Sequence, residues 1–116
     1  SADSVMAEAE KMIGIFSEKN PSNTFYLSDL GLVKYYRGKI EEGLDILWRA
    51  FRMNPNNGYA YRKLFQVLYE TRRTTELIKA TQMHAEYKVN LTDPLVQQVL
   101  GIAQPQVNPS APLQQP

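Results

Sequence analysis

The sequence predicts an all-α chain: a short solenoid of helix hairpins, about five or six helices in all, ending in an extended tail. Three observations predict it. The turn-forming stretch KNPSN, ending at Asn23, returns as MNPNN, ending at Asn57, so Pro21 and Pro55 stand 34 residues apart. Shifted by that interval, Leu30 falls on Leu64, Val33 on Val67, Tyr35 on Tyr69, Glu42 on Glu76 and Leu44 on Ile78, while Met12 falls on Ile46 and Ile13 on Leu47. Between the turns, apolar residues recur at helical spacing, and no run alternates with period two. A period of this size marks stacked units, none of which can bury its apolar face alone.

The first helix is carried by Val5, Met6, Ala9, Met12, Ile13 and Phe16, which form one stripe at three-and-four spacing. Asp3 or Ser4 is the expected cap, and Asn20-Pro21 ends the element. The second runs from about Thr24 to Arg37 through Leu27, Leu30, Val33 and Tyr36, and Gly38 stops it. The third covers about Ile40 to Met53, with Ile40, Leu44, Leu47 and Phe51 apolar and Asn54-Pro55 at its end. Tyr61, Leu64, Val67 and Leu68 mark a fourth helix over about Gly58 to Thr71. After a turn at Arg72 to Thr74, a fifth spans about Thr75 to Lys88, and Asp93-Pro94 opens a short sixth to about Ile102. The tail AQPQVNPSAPLQQP holds four of the seven prolines and suits extended structure only.

Composition narrows the function classes. At 116 residues the chain is one small domain at most. No apolar run approaches the ~18 residues of a membrane span, so no membrane insertion of this segment is expected. A net charge of +1 argues against a general nucleic-acid role, although residues 49–73 alone carry +5 and would favour an acidic partner. With no cysteine there is neither a disulfide framework nor thiolate chemistry, and nothing separates cytoplasm from periplasm. The chain opens on Ser rather than Met, which reads as a trimmed piece.

The stretch LSDLGLVKYYRGKIEEGLDILWRAFRMNPNN, from Leu27 to Asn57, resembles the tetratricopeptide repeat, a helix-turn-helix unit of the same period. Leu30-Gly31, Gly38 at the inner turn, Leu44, Ala50 and Pro55 match it, while Leu27, Lys34 and Gly43 depart from the usual aromatic, tyrosine and alanine. The small residues Gly31 and Ala50 would let paired helices approach closely. Residues 58–91 form a more degenerate unit: Tyr61, Leu64 and Ala60 remain, but Phe65, Arg72 and His84 replace small residues, so wider helix spacing is expected there. On this resemblance residues 1–103 are the repeat domain, made of a half repeat (4–23), a repeat (24–57), the degenerate repeat (58–91) and a capping helix (92–103). Residues 104–116 are the tail. The resemblance implies a right-handed superhelix whose first helices line a concave groove for a peptide or helix of a partner protein. The groove positions would be Phe25, Ser28, Leu32 and Tyr35 in one unit and Tyr59, Arg62, Lys63, Gln66 and Tyr69 in the next. The carboxylate clamp of some family members is not expected, because its places hold Ser28, Asp29 and Leu32, and an aspartate repels a carboxylate.

Catalysis is not expected, nor any cofactor. His84 is the single histidine and fits packing, no zinc-ligand spacing occurs, and phosphate-loop glycines are absent. Glu41 and Glu42 are adjacent near a helix start, where they favour the macrodipole but do not converge on one point. Trp48, beside Leu47 and Phe51, is expected to cover the neighbouring helix pair. Asn90-Leu91-Thr92 fits a glycosylation acceptor, a common pattern. The expected role is a noncatalytic interaction module. Alternatives are a domain appended to a larger bacterial envelope enzyme, and self-association through the first helix, where Met6 and Met12 leave an apolar edge, or through the tail. Val107 to Leu113 would then lie in a groove of this chain or a neighbour.

Overall fold

A computed structural model of the chain describes residues 2–86 together with Pro94 and Gln98, both helical. The described residues are all-helical, in five elements: α1 (Ala2–Lys19), α2 (Thr24–Tyr36), α3 (Ile40–Met53), α4 (Gly58–Glu70) and α5 (Thr74–Glu86). From α2 to α4 the expected spans hold to a residue at each end. The bulk of the expected sixth helix, the Asn90 acceptor site and the tail lie outside the described residues. One expectation needs correction. Asp3 and Ser4 do not cap α1 but sit inside its first turn. Asp3 there favours the helix N-terminus and approaches Arg37 at 3.6 Å, so extending the helix stabilises it.

The two repeated turns are built alike. The carbonyls of Asn20 and Asn54 accept from the amides of Asn23 and Asn57, each at 2.9 Å. Asn23 then caps α2, its Oδ1 accepting from the Phe25 and Tyr26 amides at 2.9 and 3.1 Å. Asn57 caps α4 in the same way, accepting from the Ala60 amide at 3.0 Å. Its Nδ2 donates to Thr24 Oγ1 at 3.0 Å, which ties one cap to the other.

Helix ends repeat too. Gly38 has φ +84°, and the amides of Gly38 and Lys39 donate to the carbonyls of Tyr35 and Lys34, both at 2.9 Å. Arg72 occupies the corresponding place with φ +58°, and the amides of Arg72 and Arg73 donate to Tyr69 and Leu68 at 3.1 and 2.9 Å. Both are left-handed stops that satisfy the last carbonyls of a helix. The second is held without the glycine that makes it easy.

Packing follows chain order with one exception. α1 lies on α2, α2 on α3, α3 on α4 and α4 on α5, and α2 additionally touches α4. No Cα of α3 comes within 8 Å of α1 or α5. The main core joins α3, α4 and α5 through Leu44, Leu47, Phe51, Leu64, Phe65, Leu68 and Leu77, all essentially buried. A smaller cluster of Leu27, Ile46, Ala50 and Ala60 seals α2 to its neighbours.

The closest helix pair is α2 with α3. A Cβ on Gly31 would stand 2.7 Å from Leu47 Cγ, and one on Gly43 would stand 2.6 Å from the Gly31 carbonyl oxygen. Gly43, where the resemblance leads one to expect alanine, is thus demanded by the contact it makes. Rings fill the gap between α4 and α5 instead. His84 is fully buried, stacked on Tyr61 at 4.2 Å and edge-on to Phe65 at 5.5 Å.

Candidate functional site

The nine candidate groove residues belong to α2 and α4, which run side by side in the same direction. Parallel pairs join them. At one end, the Phe25 and Tyr59 rings lie 5.1 Å apart and the Tyr59 hydroxyl donates to Asp29 Oδ1. At the other, the Tyr35 hydroxyl donates to Glu70 Oε1 at 3.0 Å, and Gln66 Nε2 donates to Glu70 Oε2 at 3.2 Å. Burial and the Asp29 carboxylate push the Tyr59 hydroxyl up to about 12, so it remains a neutral donor throughout the physiological range. Burial and Glu70 also raise Tyr35.

Phe25, Tyr59, Arg62, Lys63, Gln66 and Tyr69 keep accessible surface without packing into the main core, and Tyr69 opens on a cavity shared with Arg72, Thr74 and Leu77. Phe25 and Tyr69 are the most open aromatics among them, at 51% and 42% exposure. Lys63 Nζ sits 4.6 Å above the half-buried Tyr59 ring, and the Arg62 guanidinium lies 5.7 Å from the ring of Tyr61, a core residue. Leu32 is half-buried against the main core, and Tyr35 touches that core as well as the surface. Ser28 corrects the expectation: it is fully buried, with its hydroxyl unpaired. The reason is that α2 has three packed neighbours, α1, α3 and α4, which leave little of its circumference open. Asp29, expected only to repel a carboxylate ligand, is the clasp that fixes Tyr59. Its pairing depends on a residue 30 positions away.

Other candidates resolve into packing. Trp48 is 6% exposed; its Nε1 donates to Glu76 Oε2 at 3.1 Å, and Arg52 and Lys79 lie over its ring at 4.9 and 5.7 Å. It therefore bridges α3 to α5, as expected of a residue covering the next helix pair. Glu41 reaches Arg73 while Glu42 reaches Lys34 at 2.7 Å, so the adjacent carboxylates point to different neighbours.

A charged cluster lies elsewhere. Glu10 of α1 accepts from Lys34 at 2.9 Å, Arg37 at 2.9 Å and Lys39 at 3.0 Å. Hydrogen bonds from Lys34, then Lys39 and Arg37, bring its carboxyl down to about 2. This is the main polar anchor of α1.

Among the described residues, no three His, Asp or Glu side chains gather where a metal ion could sit. No described helix is long and apolar enough to cross a membrane. Compared with family models, with curated proteins and with solved structures, the chain matches none.

Proposed function

We propose that this chain is a noncatalytic interaction module of tetratricopeptide type, a short right-handed array that holds an extended segment of a partner protein along α2 and α4. One observation carries the reading: α2 and α4 touch, while the α3 backbone stays apart from α1 and α5. Hairpins stacked with one row of helices close and the other row spread curve toward the close row. The matched Asn caps, Asn-Pro turns and left-handed stops at an interval of 34 residues support the same reading.

The strip suits an extended chain with apolar and acidic side chains. Phe25, Tyr59 and Tyr69 offer aromatic surface, and Arg62 and Lys63 supply positive charge between them. Asp29 and Glu70 accept from the tyrosine hydroxyls and keep their negative charge, so the acidic groups of the segment would sit beside Arg62 and Lys63 and away from these two carboxylates. Tyrosine hydroxyls held in place across two helices also reduce the ordering cost of binding.

The test is a peptide-library selection on the isolated chain, followed by titration of the selected peptides. Phe25→Ala and Arg62→Ala should each weaken binding about tenfold or more with the helical circular dichroism unchanged, and added salt should weaken it further. Peptides that bind both variants as tightly as the unaltered chain would remove the strip from consideration.

A further inference from the structure

We propose that α1 carries a second docking surface, for another copy of this chain packed antiparallel. α1 faces α2 with Ser17, Met6, Ile13 and Glu10, Phe16 at the margin stacks on Tyr26 of α2 at 5.7 Å, and the opposite side exposes Val5 (68%), Met12 (52%) and Ile15 (44%). Positions 5, 8, 12, 15 and 19 on that side recur at alternating steps of three and four, the spacing of a two-helix seam. The seam reads Val5, Glu8, Met12, Ile15, Lys19.

Its charges identify the occupant. Glu8 and Lys19 are exposed and flank the central Met12–Ile15 pair at equal distances along the helix. When a second α1 is laid antiparallel about a two-fold axis between residues 13 and 14, Met12 meets Ile15 of the second copy. Glu8 meets Lys19 of the second copy, and symmetry repeats both contacts. A parallel arrangement would set Glu8 against Glu8 and Lys19 against Lys19, which is unfavourable. The surface is therefore complementary to itself in one orientation. Three exposed apolar side chains from each copy make a contact below roughly 1,200 Å², so the dimer exchanges with monomer.

Sedimentation from about 10 μM to about 1 mM, the range in which contacts of this size associate, tests it. The unaltered chain should shift from monomer to dimer. Glu8→Lys and Lys19→Glu should each weaken the dimer about tenfold or more while keeping full helix content, because each sets like charges together twice. An equimolar mixture of the two variants should associate again. One variant then carries only positive charge at positions 8 and 19 and the other only negative, so both cross-seam contacts pair opposite signs. A monomer at every concentration overturns the proposal. So do single variants that dimerise like the parent, or a mixture that stays monomeric. None of these results bears on the α2–α4 strip, which lies on other helices.

Discussion

Gly43 and Arg72 are two single residues to which the structure gives opposite energetic signs. At Gly43 a methyl group would press on the Gly31 carbonyl oxygen at 2.6 Å, and both partners are backbone, with no side chain to swing aside. Gly43→Ala should therefore destabilise by about 1–3 kcal/mol even after the gain in helix propensity, as read by urea unfolding. An alanine variant as stable as the parent would mean that α2 and α3 can part at no cost. At Arg72 a side chain is held at φ +58°, a region that favours glycine. Arg72→Gly should stabilise by about 0.5–1 kcal/mol, the relief of the left-handed strain less the extra freedom glycine has when unfolded. The departure at Arg72 is visible in the sequence, because Gly38 shows what belongs there. Gly43 is legible only as an oddity, since nothing local says that Gly31 lies behind it.

Among the elements, α1 is attached differently from the rest. Only Ser17 among its residues is buried, and its polar anchor is Glu10, held by Lys34, Arg37 and Lys39 of the next hairpin. The folded carboxyl lies near 2, below its ordinary 4.5, so its stabilisation is complete above about 4.5 and fades as the pH falls toward about 2. Acid titration should therefore loosen α1 first. Helical circular dichroism should fall between pH 4.5 and 2 while Trp48 emission, which reports on α3 and α5, lags behind. Glu10→Gln should remove on the order of 1–2 kcal/mol at neutral pH and flatten this dependence, with the smaller end of the range reflecting solvent screening. Coincident transitions in the parent, or an unchanged acid limb in the variant, would refute the role given to Glu10. The apolar stripe of α1 is readable in the sequence, but not which half of it α2 covers.

For the molecule as a whole, stability should be graded along the array rather than uniform. Leu47, Phe51, Leu64 and Phe65 are fully buried where α3 meets α4, whereas α1 rests on a single neighbour. In dilute solution, amide hydrogen exchange should be slowest in α3 and α4 and fastest in α1. Strongest protection in α1 would contradict this order. Helix positions, the Asn-Pro turns and the left-handed stop at Gly38 were determined by the sequence alone, because three-and-four spacing and turn residues act over a few neighbours. Only the tertiary structure decided that Ser28 is buried, that Asp29 clasps Tyr59, that Gly43 admits no methyl group, and that Val5, Met12 and Ile15 stay outside. Each of these outcomes depends on what another helix brings, or fails to bring, against that position, and local spacing carries no record of that.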